Sequence, residues 1–323
     1  MDTATPSSGG SRRVVVGVDG SPGGRLALVA ALRAAAARQA RLDVVTAVPP
    51  PVVWTRGAPV EVPDVDAIRD DTGGRARDLV GEVRRELTGV PGIDDVEVTL
   101  TVTDGPPVQT LRDAADGAEL LVVGSRGRGA VRSALLGSVA LHCISHAPCP
   151  VLVVHPAPED APAEPRIVVG VDGSTGSRAA LVAAVEEAAR TGAAMDVVAA
   201  YSAADYWTDL GTVVVPPAAE GHDEVKRQTE ALVEEVLAAH AGTAPAVRLH
   251  IVVGPAGDVL VHHAHGARLL VVGSRGQGAL GGLLLGSIAL HCAMHASVPV
   301  LVVRPSRTAT APGTAREPAL AQG

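Results

Sequence analysis

The chain has 323 residues, which is enough for two domains of ordinary size, each with a core of its own. Aromatic residues make up only 1% of it and Phe is absent, so base stacking is excluded as a means of gripping nucleic acid. The 27 basic and 35 acidic residues give a net charge of -8, which argues against a non-specific polyanion binder. We therefore expect no nucleic-acid partner.

Short apolar runs alternate with helical patterns through the first half of the chain. Strands are predicted over 14–18, 43–48, 96–102, 120–124 and 151–154. Helices are predicted between them, over about 22–39, 64–87 and 108–115, with a fourth ending near 146. This alternation predicts a parallel sheet with right-handed crossovers and helices on both faces.

Two local signals refine the helices. Ser21 followed by Pro22 indicates the start of the first helix, because the hydroxyl can cap orphan amides and proline loses nothing at the first helical position. The pair Gly73-Gly74 is expected to interrupt or delay the second helix.

The same order of elements then begins again, which indicates a duplicated domain. Asp19 recurs as Asp172 and Gly124 as Gly273, at offsets that differ by a few residues. Between the copies lies a proline-rich acidic segment with the composition of a linker. The predicted division is a disordered tail over 1–12, domains over 13–155 and 166–305, a linker over 156–165 and a disordered tail over 306–323.

A glycine motif follows the fourth strand of each half. Gly124-Ser-Arg-Gly127 is followed after nine residues by Gly137-Ser138, and Gly273-Ser-Arg-Gly276 is followed after nine residues by Gly286-Ser287. A buried strand that enters glycines and then a helix start presents backbone N–H groups to phosphate, since glycine lets a ligand approach the main chain closely. The alternative is a tight turn in an apolar sheet, but such a turn needs no second glycine and hydroxyl.

Lys226 is the only lysine, so no lysine-dependent phosphate loop is possible near either motif. The phosphate charge would have to be met by backbone amides and helix dipoles together with Mg²⁺ or Mn²⁺. Arg126 and Arg275 are possible helpers, with a solvent-facing orientation as the alternative.

Parallel sheets bind ligands beyond the carboxyl ends of their strands. The ends of strands one, two and four carry Asp19, the Ala47-Val48 region and Gly124, so these residues are expected to converge on one crevice. Asp19 and Asp172 could instead cap the following helices, although Ser21 and Ser174 are better placed for capping.

These motifs resemble those of the ATP-binding universal stress proteins. The spacing of the glycine motif, the Val-Asp-Gly-Ser turns, the closing segment from His146 to Val154 and the duplication all match tandem members of that family, over about 14–154 and 166–304. The resemblance implies an α/β fold with two doubly wound, Rossmann-like domains. Each would be a five-stranded parallel sheet that binds ATP at its strand ends.

The resemblance also implies roles for individual residues. Gly127, Gly137 and Ser138 would hold phosphates, Gly124 would lie against the ribose, and Asp19 would sit near the adenine and ribose. Val45 or a neighbour would line the adenine slot. The second site would use the matching residues Asp172, Val198, Gly273, Gly276, Gly286 and Ser287.

Other residues give weaker signals. His142 and His146, and likewise His291 and His295, have metal-ligand spacing on a helix, but a helix C-terminus also favours histidine, and we predict no metal site of the protein's own. The three cysteines have no CxxC spacing and indicate reduced thiols in the cytoplasm. No export signal or membrane-spanning run is present, so no membrane partner is expected.

No nucleophile or general base stands out, so we expect a stress-response sensor or regulator with at most slow ATP hydrolysis. The alternatives are an ATP-using transferase or adenylating enzyme of the same superfamily, and a scaffold that has lost its ligand. By resemblance the chain is expected to form a homodimer, with pairing of exposed closing strands (151–154 and 300–303) as a possible route. The sequence leaves the regulatory partner unidentified.

Overall fold

The computed structural model describes residues 12–48, 64–127, 136–156, 164–201, 218–277 and 284–305. The predicted disordered tails, apart from Arg12, lie outside the described residues, as do residues 157–163 of the predicted linker.

Each half contains five strands and four helices among these residues. The N-terminal half consists of β1 (Arg13–Gly17), α1 (Pro22–Arg38), β2 (Arg41–Val48), α2 (Val65–Glu86), β3 (Val98–Asp104), α3 (Pro107–Ala114), β4 (Leu120–Gly124), α4 (Ser138–His146) and β5 (Val151–Val154). The C-terminal half consists of β6 (Glu164–Gly170), α5 (Thr175–Thr191), β7 (Ala194–Tyr201), α6 (Ala218–Ala239), β8 (Val247–Val253), α7 (Ala256–His263), β9 (Ala267–Gly273), α8 (Ser287–His295) and β10 (Val300–Val303).

The predicted fold class is confirmed in both halves. The first five strands are parallel in the order β3-β2-β1-β4-β5, and the second five repeat it as β8-β7-β6-β9-β10. Strands are therefore added to one side of β1 up to β3 and to its other side from β4 onward, and the same switch in strand order falls between β6 and β9. In a doubly wound sheet this switch point is where a crevice opens at the carboxyl ends of the strands.

The two halves share a single sheet. β5 and β10 pair in antiparallel fashion, with Val151 opposite Val302 and Val153 opposite Val300, which joins the strands into one ten-stranded sheet. The idea that these closing strands lie exposed and pair between two chains is therefore wrong, because β5 and β10 already pair with each other within the chain. A homodimer stays a prediction, but it has to use another surface.

Helices cover both faces of this sheet. Apolar residues of α1, α2, α5 and α6 pack on one face, and those of α3, α4, α7 and α8 pack on the other. The cores are built mainly from Val, Leu and Ala, as the near absence of aromatic residues requires. Cys143, Cys149 and Cys292 are unpaired and buried, and burial raises the pKa values of their thiols to about 12, 11 and 12. In the part of the chain that the structure describes, no helix is both long and apolar enough to cross a membrane.

One expectation about a helix fails. α2 runs without interruption from Val65 to Glu86, through Gly73 and Gly74. Gly73 packs towards Val102 and Gly74 faces open space, so each glycine is accommodated inside the helix without a break. The pair lowers the helix propensity of α2, but packing on the sheet outweighs that cost.

A buried ion pair also joins the halves. Arg38, at the end of α1, is 7% exposed, and its Nη2 lies 2.7 Å from Glu187 Oε2 of α5. Its Nε lies 3.4 Å from Glu119 Oε1. Burial of an arginine costs free energy unless carboxylates compensate its charge, so Glu187 supports the contact between α1 and α5.

We expect Glu187→Ala to destabilise the protein by about 2 kcal/mol, because it leaves the buried Arg38 guanidinium with only part of its compensation. The control is Asp71→Ala, which removes an exposed partner of Arg75 and should change stability by less than about 0.5 kcal/mol. Urea unfolding of both variants measures the difference. Equal effects would contradict a special role for the contact between the halves.

Candidate functional site

The turn after β1 is held by its own side chains. Gly20 has φ +76°, a left-handed conformation that suits glycine, and it lets the chain turn directly after Asp19. The Asp19 carboxylate accepts hydrogen bonds from the backbone N–H of Ser21 at 3.0 Å and from its hydroxyl at 2.5 Å. Ser21 in turn accepts from the N–H of Gly24 at 3.1 Å and caps α1. The prediction that serine is the cap is confirmed in both halves, since Ser174 caps α5 in the same way.

The first turn of α1 lies directly against the loop that follows β4. A Cβ on Gly23 would overlap the carbonyl oxygen of Arg126, and a Cβ on Gly124 would lie 2.6 Å from the carbonyl oxygen of Gly23. Real Cβ atoms do not approach other atoms so closely, so glycine is required on both sides of this contact. The function of Gly124 in the structure is therefore to let the helix approach the strand end.

The same contact is repeated in the second half. A Cβ on Gly176 would overlap the carbonyl oxygen of Arg275, and one on Gly273 would lie 2.6 Å from the carbonyl oxygen of Gly176. Sequence reasoning missed Gly23 and Gly176. The signal was present, because Gly23 recurs as Gly176 at the same offset as Asp19 and Asp172.

Asp19 and Gly127 meet, as predicted. A Cβ on Gly127 would lie 2.6 Å from Asp19 Oδ2, and Gly276 approaches Asp172 Oδ2 in the same way. The turn after the first strand and the glycine loop after the fourth therefore converge in each half.

The carboxylate of the second half also binds the loop directly. Asp172 Oδ1 accepts from the N–H of Ser174 at 3.0 Å, and Oδ2 accepts from the N–H of Gln277 at 3.0 Å. Burial disfavours the charged form of Asp172, but the hydrogen bonds from Ser174 and Gln277 outweigh it and lower the pKa of the carboxyl. The ionised carboxylate of Asp172 therefore joins the turn after β6 to the loop after β9.

The start of α4 also contacts the glycine loop of the first half. The N–H of Gly137 donates to the carbonyl oxygen of Ser125 at 2.7 Å. A Cβ on Gly137 would lie 3.4 Å from that oxygen and 3.9 Å from the backbone nitrogen of Gly127. In the second half Gly286 holds the same position, with a donated bond of 2.7 Å to Ser274.

The two kinds of helix start differ in one respect that matters for anions. Serine side chains cap α1 and α5, whereas no described side chain caps α4 or α8, whose first residues are the exposed Ser138 and Ser287. Helices α3 and α7 also begin without a side-chain cap, so α4 and α8 are distinguished by their contact with a glycine loop. Uncapped amides at a helix N-terminus carry partial positive charge and bind anions. Each half therefore places an uncapped helix start beside a glycine loop.

Not every predicted site residue lies beside the glycine loops. Val45 and Val198 are 4% and 1% exposed and belong to the apolar cluster on the face covered by α3 and α7. Two residues further along the strands, Ala47 and Ala200 are partly exposed. Arg126 and Arg275 lie on the glycine loops with exposed side chains.

A groove of the second half lies away from the glycine loops. It has a volume of about 900 Å³ and lies between α7 and α8 in the second half, where His291 Nε2 is 3.0 Å from Asp258 Oδ1. His295 lies beside His291, with ring centroids 4.5 Å apart. In the described parts of both halves no group of three or more His, Cys, Asp or Glu side chains is arranged to hold a metal ion.

Comparison with known proteins decides the family. The model of the universal stress protein family matches the chain twice, over residues 10–155 and 165–304. The chain belongs to the universal stress protein family. A curated universal stress protein of Mycolicibacterium smegmatis is 33% identical over 298 residues, which cover 90% of this chain and 97% of the relative.

Solved universal stress proteins agree with this assignment. The crystal structure of one from Archaeoglobus fulgidus covers 92% of this chain and 99% of its own, with a TM-score of 0.64 at 19% identity, which shows the shared fold. A shorter universal stress protein solved in complex with cAMP covers 45% of this chain and 97% of its own, at 31% identity and a TM-score of 0.32. Because the family model matches both halves, the chain is a tandem universal stress protein.

We expect Gly23→Ala to destabilise the protein by at least about 1 kcal/mol, because the new methyl group must push the glycine loop away from α1. Gly74→Ala is the control, since nothing lies within 4 Å of its added Cβ and a helical alanine should stabilise α2 by about 0.5–1 kcal/mol. Thermal unfolding monitored by circular dichroism compares the two. A neutral Gly23→Ala variant would show that the contact is loose.

We expect Asp172→Asn to lose about 1–2 kcal/mol of stability at pH 7, because an amide group would face one of the two backbone N–H donors. The folded-state pKa of Asp172 lies below its ordinary value of 3.8, so the stability it contributes is present above about pH 4 and is lost as the pH falls through the folded-state pKa. The difference in stability between variant and wild type should therefore become smaller in acid. Denaturation at pH 7 and pH 3 tests this, with the exposed Asp113→Asn as the control.

Proposed function

We propose that this universal stress protein binds ATP at one site in each half and acts as a cytoplasmic stress-response sensor or regulator. The observation that carries the proposal is the uncapped start of α4, held 2.7 Å from the glycine loop by the bond from Gly137 to Ser125, and its repeat at Gly286. A structural turn needs no second glycine in contact with the loop, and this contact distinguishes α4 and α8 from α3 and α7, which also begin without a side-chain cap.

The proposed site fits a polyphosphate without a lysine. The N–H groups of the loop and of the first turn of α4 would bind the phosphates, with Gly127, Gly137 and Ser138 nearest to them, and Gly276, Gly286 and Ser287 would act in the second site. Helix starts contribute about 0.3–1 kcal/mol each to anion binding at exposed positions. The described side chains offer no metal cage, so Mg²⁺ or Mn²⁺ would be bound mainly through the phosphate oxygens.

The nucleoside would lie over the turn after the first strand. Asp19 and Asp172 lie at the edge of the loops and would be near the ribose, with Gly124 and Gly273 beneath it. Since Val45 and Val198 are buried, the partly exposed neighbours Ala47 and Ala200 are the better candidates for the adenine slot. Arg126 and Arg275 are exposed and long enough to reach an outer phosphate.

A sensor or regulator fits these sites better than a catalyst does. Both carboxylate oxygens of Asp172 accept backbone hydrogen bonds, and the pKa of the group is lowered, so it is a poor general base. Bound phosphates without a positioned base gain little transition-state stabilisation, so hydrolysis should be slow. Substrate-dependent release of pyrophosphate at a rapid rate would instead support the adenylating enzyme.

The most specific test adds one methyl group to each proposed phosphate site. A Cβ on Gly137 or Gly286 meets the surrounding backbone at ordinary contact distances of 3.4 Å or more, yet it would stand 3.9 or 3.7 Å from the loop nitrogen of Gly127 or Gly276. We expect Gly137→Ala and Gly286→Ala each to weaken ATP binding in its own half at least about tenfold, and the double variant to lose both sites. These positions test the site better than Gly127, whose added Cβ must displace Asp19.

Isothermal calorimetry with ATP and Mg²⁺ measures the stoichiometry, and cAMP serves as a comparator with a single phosphate. Thermal unfolding of the nucleotide-free variants is the control for folding. If the wild type binds no nucleotide, or if the double variant binds as well as the wild type, the proposal is wrong.

A further inference from the structure

The two proposed sites differ at the residue that follows the closing strand. β5 ends in Val-Leu-Val-Val and is followed by His155, whereas β10 ends in the same four residues and is followed by Arg304. The motif residues of the two halves otherwise match, including both glycine loops and both Asp-Gly-Ser turns.

Each of these residues follows a strand end that is hydrogen-bonded to the glycine loop. The N–H of Ser125 donates to the carbonyl oxygen of Val154 at 2.8 Å, and the N–H of Ser274 donates to that of Val303 at 2.7 Å. His155 and Arg304 therefore come one residue after the point where the strand holds the loop. We expect a charge at either position to act on the backbone amides proposed to bind phosphate, because it stands next to the residue that accepts a hydrogen bond from the loop.

The surroundings of His155 are unusual for a histidine. The residue is 8% exposed, and its Nε2 is buried without a hydrogen-bond partner among the described residues. Burial, and after it the positive charge of Arg126, lowers the pKa of His155 to about 4. The imidazole is thus neutral at pH 7 and holds a buried polar atom that lacks a partner.

Arg304 stands at the equivalent position of the second half, in different surroundings. It is partly buried, and its Nη2 donates to the carbonyl oxygen of Ile144 at 3.0 Å. Burial and the charge of Arg275 lower the pKa of its guanidinium, but an arginine remains charged at every pH of interest. The second half therefore carries a permanent cation where the first carries a group that can gain a proton.

We propose that His155 couples the nucleotide site of the first half to pH: its imidazole is neutral without ligand and takes up a proton from solvent when a triphosphate binds at the Gly124–Gly127 loop. This inference rests on the proposed function of that loop. The bound phosphates would offset the charge of Arg126 and give the imidazolium a nearby anion. The second site, with Arg304, would bind ATP without this proton.

Other charged side chains on the elements packed against β5 are engaged elsewhere or exposed. Arg25 and Arg38 of α1 pair with Glu86 and with Glu119 and Glu187. His142 and His146 of α4 contact backbone carbonyls of their own helix, and Arg33 is exposed. Arg126 is the charged group whose field lowers the proton affinity of His155.

The sign of the pH effect follows from linkage. A proton gained on binding strengthens binding as the pH falls, by up to about tenfold per pH unit between the pKa values of His155 in the free and bound states. The γ-phosphate of ATP titrates at both sites, so its effect cancels when the sites are compared. Affinity of the first half for ATP should therefore rise relative to that of the second as the medium is acidified.

The experiment follows the His155 ring by nuclear magnetic resonance in the wild-type chain, with and without saturating ATP and Mg²⁺. His155→Gln identifies the resonance by its loss. We expect the ring of His155 to stay neutral down to about pH 5 without nucleotide and to titrate at least about one pH unit higher with it.

Calorimetry in buffers of different ionisation enthalpy gives a second measurement. Wild type should take up protons on binding ATP near pH 5, and His155→Arg, which copies the second half, should bind ATP without that uptake. If ATP saturates the protein and the titration of His155 does not move, the inference is wrong while the proposed function stands. If calorimetry detects no ATP binding in the wild type, the proposed function fails and the inference fails with it.

Discussion

The contact between the first turn of α1 and the loop after β4 is the constraint on which the rest of the site depends. Gly23 and Gly124 let two backbone segments touch where no side chain fits, and Gly176 and Gly273 repeat the contact. Because the helix is held so close, Asp19 reaches Gly127. The start of α4 can then approach the same loop through Gly137.

The hydrogen-bond inventory explains how such a loop can hold an anion without lysine. At α1 and α5 a serine caps the helix start and an aspartate holds the turn, whereas α3 and α7 begin after prolines without a side-chain cap. Where a ligand is proposed, at α4 and α8, the cap is a glycine with no side chain to satisfy the first amides. Capping satisfies orphan amides, and its absence leaves their dipoles available.

Duplication has produced two similar halves in one structural unit. The antiparallel pairing of β5 with β10 and the buried contact between Arg38 and Glu187 join them, and apolar clusters on both faces contain residues from each half. The two halves have nevertheless diverged in charge at the strand end that supports each loop. At these equivalent positions burial lowers the pKa of His155, whereas the guanidinium of Arg304 donates to the carbonyl oxygen of Ile144.

The sequence by itself determined the fold class, the duplication, the strand that precedes each glycine motif and the meeting of Asp19 with Gly127, because these follow from local periodicity and from the rule that parallel strands end at one edge. It also identified Ser21 as a cap, since capping involves neighbours in the chain. Only the tertiary structure decided what depends on distant contacts. It showed that Gly23 must be glycine, that α2 continues through Gly73, that Val45 is buried, that β5 and β10 pair within one chain and that His155 Nε2 has no hydrogen-bond partner among the described residues. Each of these is set by which atoms lie opposite in space, and residue type and spacing along the chain do not determine that.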